Sequence, residues 1–127
     1  MRPSSIYGIG KIYGELLGEY YHSKSGLDFR SLRVPIVTSS AMQSAGGSAA
    51  FTVTMFNDLL KNKKTDIPIE PDVKMPLIHL PDLINNILNF MEADSERLRF
   101  RTYTPLSVGV SVKDYCDEVM KLFPDCQ

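Results

Sequence analysis

A tyrosine and a lysine four residues apart, Tyr7 and Lys11, are the pair in this sequence with the clearest chemical use. On a helix, residues with this spacing share a face and their side chains are adjacent. A free phenol has a pKa of about 10 and is a poor base at neutral pH, but an ammonium group beside it favours the phenolate. Tyr7 and Lys11 are therefore a candidate general base and its activating cation. A tyrosine on a packed helix beside a solvated lysine would give the same spacing, so the pair alone does not decide the function.

The segment around this pair has the period of an amphipathic helix. Between residues 5 and 23, apolar residues recur every three or four positions. Ser4 or Ser5 can cap the start of this helix, and Gly26 suits the left-handed residue that ends it. The helix also carries a row of glycines four residues apart, which would let another backbone approach closely: Gly10, Gly14 and Gly18.

The rest of the chain alternates strands with helices. Strands are predicted over residues 27–34, 75–80 and 98–103, and helices over residues 49–62, from Pro81 onward with Asp82 as a cap, and from Ser111 onward with Asp114. Residues 38–48 have the composition of a loop. This order predicts an α/β protein. We find no glycine-rich strand-to-helix turn that would cradle a nucleotide, so the chain predicts no self-contained nucleotide site.

Composition excludes several classes of function. The chain has 127 residues with 14 Lys and Arg against 15 Asp and Glu, a net charge of -1, so no nucleic-acid or membrane partner is expected. Two cysteines are too few for a disulfide framework and fit a reducing compartment. His22 and His79 have no partners at ligand spacing, so no metal site is expected.

Other polar and reactive residues receive structural interpretations. Arg97, Arg99 and Arg101 alternate along a predicted strand and are expected to form its solvated face. His79 is expected to be a hydrogen-bonded core residue. We expect Cys116 to be buried packing and Cys126 to be an exposed thiol near the C-terminus.

Four segments, taken in order, resemble the C-terminal half of extended short-chain dehydrogenases. They read "IYGIGKIYGELLGEYYHSKSGLDFRSLRVPIV", "AGGSAAFTV", "DVKMPLIHLPDLI" and "RTYTPLS". Within that superfamily, of the NAD-dependent epimerase/dehydratase type, the chain is most similar to the short-chain L-threonine 3-dehydrogenases. The resemblance implies the C-terminal part of a Rossmann-like, doubly wound parallel sheet with a small substrate-binding lobe, without the N-terminal nucleotide-binding half.

The resemblance also implies roles for particular residues. Tyr7 would contact substrate and cofactor and take the proton of the substrate hydroxyl as hydride leaves for NAD. Lys11 would favour ionisation of the Tyr7 phenol and hydrogen-bond the cofactor ribose. Pro35 and Val37 would lie along the nicotinamide, Val37 through its backbone. The family's glycine-rich substrate loop matches Gly46, Gly47 and Ser48.

The function so implied is oxidation of L-threonine to 2-amino-3-oxobutanoate, with the isolated chain inactive. Residues 1–37 would form the catalytic helix and following strand, and residues 38–127 the substrate lobe. A homodimer would form through the helix from Tyr7 to Tyr21, in mitochondria for a eukaryotic protein or in the cytoplasm for a bacterial one. Ala49, Ala50 and Phe51 replace hydrogen-bonding residues of the family.

Two alternatives stay open. A nucleotide-sugar epimerase or dehydratase would use the same Tyr7 and Lys11 on a sugar hydroxyl. A non-catalytic protein or dimerisation module would use the opening helix only to pair subunits.

Overall fold

The computed structural model describes residues 2–39 and 50–126. It divides into two compact units, Met1–Val34 with Ile84–Pro105 and Pro35–Leu83 with Leu106–Gln127, called here the first and second units. In chain order the elements are α1 (Ile6–Ser25), β1 (Ser31–Leu32), β2 (Ile36–Thr38), α2 (Phe51–Asn62), β3 (Lys74–His79), α3 (Leu80–Glu92), β4 (Thr102–Tyr103), β5 (Val108–Ser111) and α4 (Val112–Met120).

The first unit contains α1 and a two-stranded parallel sheet. Both predicted ends of α1 are confirmed: the Ser5 side chain accepts a hydrogen bond from the Gly8 N–H, and Gly26 ends the helix with φ of 70°. β1 pairs with β4, with Ser31 opposite Thr102. The predicted strands over residues 27–34 and 98–103 are thus much shorter than expected, because pairing extends over two residues on each strand.

The second unit contains a three-stranded sheet in the order β2, β3, β5. β2 runs parallel to β3, and β5 runs antiparallel to it. The predicted helix start at Ser111 is confirmed, since Ser111 and Asp114 form a reciprocal capping box. α3 begins at Leu80, so Asp82 lies in its first turn, where a carboxylate interacts favourably with the free backbone N–H groups.

Two clusters of apolar side chains form the core of the second unit. One is built on Phe51, Met75 and Val112, and the other on Met55, Leu59 and Val119. The first cluster joins α2 and α4 to the sheet, and the second joins α2 to α4. α2 contributes to both because it buries residues spaced four apart. Phe51 is therefore a packing residue.

Four sequence-based interpretations can be compared with the structure. His79 is exposed at the end of β3, so the prediction of a core histidine is wrong. Arg101 is also mispredicted: its side chain is only 15% exposed and is paired with Asp28. Cys116 packs against both core clusters as expected, but Cys126 also packs against the second cluster and is not an exposed thiol.

The described residues contain no helix long and apolar enough to cross a membrane. They also contain no group of three or more His, Cys, Asp or Glu side chains that could hold a metal ion.

Candidate functional site

Tyr7 and Lys11 lie together on the first turns of α1, as their spacing predicts. The Lys11 Nζ atom lies 5.1 Å from the centroid of the Tyr7 ring, and 75% of Tyr7 is exposed. The attraction between an ammonium group and the face of an exposed aromatic ring is worth about 0.5–1 kcal/mol. Neither the Tyr7 hydroxyl nor the Lys11 ammonium makes a hydrogen bond or ion pair with another described residue. Both are therefore available to a ligand.

One turn further along α1, Glu15 accepts two hydrogen bonds from a single arginine. Arg33 Nε donates to Glu15 Oε1 at 2.9 Å, and Arg33 Nη2 donates to Glu15 Oε2 at 2.7 Å. These bonds from Arg33 hold the pKa of the Glu15 carboxyl below its ordinary value. Sequence reasoning missed this pair, although Glu15 continues the four-residue spacing of Tyr7 and Lys11 and so had to share their face.

Gly18 fixes how closely α1 packs in the first unit. It is the buried residue of this helix, and a Cβ at Gly18 would lie 2.1 Å from Cε2 of the Phe29 ring. At Gly10 and Gly14 the space is open, and a Cβ added at either position would have nothing within 4 Å. The three glycines therefore differ in role, and only Gly18 admits a neighbouring side chain within the described structure.

The segment that follows α1 is held by a carboxylate with two arginines. Asp28 accepts hydrogen bonds from Arg30 at 2.8 Å and Arg101 at 3.2 Å, and from Ser95 at 3.1 Å. Arg30 also donates to the carbonyl oxygens of Phe90 and, at 2.9 Å, Met91, near the end of α3. The hydrogen bond from Arg30 is the main reason that the pKa of Asp28 is lowered.

Pro35 and Val37 belong to the second unit. Pro35 is buried, and Val37 lies in the middle of β2 opposite Ile78 of β3. β2 is an edge strand of its sheet, so one side of its backbone is not used by another described strand. That side can offer backbone groups to a ligand.

A cleft of about 530 Å³ opens in the second unit. α2 lines it with a second face, from Val53 to Leu60, that includes Phe56 and Asn57. Thr38 and His79 contribute polar groups from the ends of β2 and β3. None of the predicted site residues that the structure describes lines this cleft. The spacing of three and four between Val53, Phe56, Asn57 and Leu60 was the signal that could have indicated it.

Gly46, Gly47 and Ser48, predicted to bind substrate, lie outside the described residues, as does Ala49.

Comparison with known protein families identifies the chain. Residues 1–104 match the model of the NAD dependent epimerase/dehydratase family. The chain belongs to this family. The mixed α/β fold with parallel strands agrees with that membership, and the resemblance drawn from the four sequence segments is confirmed.

Individual proteins and solved structures are similar to this chain over nearly its whole length. The chain is 36% identical to mitochondrial L-threonine 3-dehydrogenase of Bos taurus over 126 residues, which is 99% of this chain and 34% of the bovine protein. The crystal structure of L-threonine dehydrogenase from Phytophthora infestans superposes with a TM-score of 0.93 at 35% identity, over 100% of this chain and 42% of that one. L-threonine 3-dehydrogenase from Trypanosoma brucei gives a TM-score of 0.89 at 34% identity, over 96% of this chain and 38% of that one. The chain thus spans about a third of the length of the curated relatives it matches.

Proposed function

We propose that this chain contains the catalytic tyrosine and lysine of an NAD-dependent L-threonine 3-dehydrogenase. The observation that carries the proposal is the exposed Tyr7 ring with the Lys11 ammonium 5.1 Å from its centre. It occurs in a chain 36% identical to the bovine threonine dehydrogenase over nearly all of its residues. The reaction would convert L-threonine to 2-amino-3-oxobutanoate.

In this proposal Tyr7 acts as the general base. Its phenolate oxygen takes the proton of the threonine hydroxyl, while the hydrogen on the same carbon leaves as hydride and a carbonyl forms. The proton then passes from Tyr7 to solvent. Lys11 stabilises the phenolate, because an adjacent positive charge favours the charged form of an acid.

NAD, when bound, supplies the acceptor for the hydride. The residues of this chain that would hold it are Tyr7, Lys11, Pro35 and Val37. Within each unit the groups fit chemically: the phenol and the ammonium of the first unit are exposed and unpaired with other described residues, and in the second unit one backbone edge of β2 is not used by another described strand. Lys11 would donate to the ribose and Val37 would offer backbone groups along the nicotinamide.

The test uses two forms of the protein. One is the 127-residue chain, and the other is the chain completed with the sequence encoded upstream of Met1. We expect the completed protein to reduce NAD in the presence of L-threonine, and the 127-residue chain to show no turnover. Tyr7→Phe should lower turnover of the completed protein by about 100-fold or more, since a positioned base contributes about 10²–10⁴-fold. Tyr13→Phe, on the same helix, is the matched control.

Other results would favour the alternatives. If the completed protein reduces NAD with a UDP-sugar, or converts that sugar, and does not turn over threonine, it is a nucleotide-sugar enzyme. A stop codon immediately upstream, or a completed protein whose biological activity is unchanged by Tyr7→Phe, would favour a non-catalytic function.

We also propose that α1 pairs two copies of the chain. Large apolar side chains stay exposed on the helix face away from Tyr7, among them Tyr13 (64%), Leu16 (60%) and Tyr20 (54%). A contiguous exposed apolar surface of this kind is typical of an interface. Sedimentation of the 127-residue chain would show whether it is a dimer.

A further inference from the structure

The position of Glu15 raises a problem for the proposed site. Lys11 and Glu15 are four residues apart on α1, and a lysine and a glutamate at this spacing attract each other. Lys11 must instead keep its ammonium group near Tyr7 to favour the phenolate. An unrestrained Glu15 would compete with Tyr7 for the same cation.

Arg33 occupies both oxygens of the Glu15 carboxylate. Its two hydrogen bonds form the parallel, two-point arrangement that arginine makes with carboxylates, at 2.9 and 2.7 Å. The Glu15 side chain is only 16% exposed in this pair, whereas Arg33 is 63% exposed. The carboxylate is therefore held in place and largely shielded from solvent, while the guanidinium stays exposed.

The backbone of Arg33 is fixed independently of Glu15. Its N–H donates to the carbonyl oxygen of Tyr103 at 2.8 Å, directly after the pairing of β1 with β4. The arginine is thus held by the backbone at the residue that directly follows β1. Glu19, the next acidic residue of α1, also acts on Arg33 through its charge but makes no hydrogen bond to it.

Lys11 is left with Tyr7 as its partner. Among the described residues, no carboxylate lies within ion-pair distance of the Lys11 ammonium. We propose that Arg33 is a positioning residue that holds Glu15 away from Lys11, so that the lysine charge stays available to Tyr7 and to the cofactor. Its catalytic consequence rests on the proposed dehydrogenase function, whereas the competition between Arg33 and Lys11 for Glu15 does not.

The competition is tested on the 127-residue chain itself. The pKa of the Glu15 carboxyl is followed by NMR of ¹³C-labelled glutamate, with its signal assigned by comparison with Glu15→Gln. With Arg33 in place, Lys11→Met should leave this pKa almost unchanged. In the Arg33→Gln protein, the same Lys11→Met change should raise it clearly, because Glu15 has then paired with Lys11.

Equal effects of Lys11→Met with and without Arg33 would overturn the inference. Glu19→Gln is the matched control. In the Glu19→Gln protein, Lys11→Met should leave the pKa of the Glu15 carboxyl almost unchanged, as it does in the parent chain. Thermal melts of each variant show that the compared proteins are folded.

The catalytic consequence is tested on the completed protein. Arg33→Gln should lower turnover with threonine by about twofold or more, since an i,i+4 ion pair is worth about twofold in water and more where water is excluded. Adding Glu15→Gln to Arg33→Gln should recover most of the loss, because the competing carboxylate is gone. Arg33→Lys, which keeps the charge, should lose less than Arg33→Gln.

A structural role for the pair would change turnover and Tm together and leave the pH dependence of turnover in place, whereas the positioning role moves the pH profile of Arg33→Gln to higher pH and Glu15→Gln moves it back, because Lys11 again stabilises the phenolate. A double variant no more active than Arg33→Gln contradicts the catalytic part of the inference. Absence of any threonine turnover in the parent protein contradicts the proposed function instead, and the NMR comparison still decides the role of Arg33.

Discussion

Replacing Gly18 by alanine should destabilise the chain, although alanine is the better helix former. The new Cβ would lie 2.1, 2.3 and 2.4 Å from three atoms of the Phe29 ring. Carbon atoms in contact are normally about 3.5–4.0 Å apart, so the ring must move by more than about 1 Å. Overpacking of this kind destabilises a protein by about 1–3 kcal/mol, whereas replacing glycine by alanine inside a helix stabilises it by about 0.8–1 kcal/mol.

The expected net effect of Gly18→Ala is a loss of about 1 kcal/mol in the free energy of unfolding. Gly10→Ala is the matched control, because nothing lies within 4 Å of its added Cβ. It should stabilise the chain by about 0.8–1 kcal/mol. For a chain of this size, about 1 kcal/mol corresponds to about 3–5 °C in Tm, so the two variants should move the melting temperature in opposite directions.

Thermal melts followed by circular dichroism at fixed concentration measure both effects. A second comparison isolates the contact: in a Phe29→Ala chain, Gly18→Ala should become stabilising, since the ring that it displaces is absent. The reasoning is refuted if Gly18→Ala raises the Tm as much as Gly10→Ala does, or if its effect is the same with and without Phe29.

Three further predictions concern the carboxylates, the last helix and assembly. The pKa of Asp28 is lowered in the fold by its hydrogen bond from Arg30, so the stability it contributes is present above its unfolded pKa and lost as the pH falls through its folded pKa. The Tm should therefore fall on acidification, and Asp28→Asn should weaken that dependence in melts measured across acidic pH. Ser111→Ala removes the capping box of α4 and should cost about 1 kcal/mol in urea unfolding, with Ser111→Asp retaining most of it. Leu16→Asp, on the exposed apolar face of α1, should weaken the proposed dimer in sedimentation experiments, and unchanged assembly would exclude that helix face from the interface.

Local signals predict the helices well. The ends of α1 follow from a serine cap and a glycine with positive φ, and the start of α4 follows from Ser111 and Asp114. These interactions join residues a few positions apart, so the sequence displays both partners together. The adjacency of Tyr7 and Lys11 is predictable for the same reason.

Strands and long-range pairs are less predictable. The sequence predicts no strand at residues 36–38 or 108–111, where the structure has β2 and β5, because both strands exist through pairing with β3, which lies far away in the sequence. The alternating pattern places Arg101 on a solvated face because its partner Asp28 is 73 residues away. The Arg33–Glu15 pair shows the same limit, since Glu15 lies on α1 and Arg33 follows β1, 18 residues further along the chain.

The two arginines that share Asp28 have a consequence for how this sequence can change. Arg30 and Arg101 each have side chains only 15% exposed, and one carboxylate serves both. Loss of that carboxylate alone would leave two like charges close together with little water around them, which is costly. We therefore expect natural variation at Asp28 to be accompanied by replacement of at least one of the two arginines, so that related sequences inherit the three positions as a group.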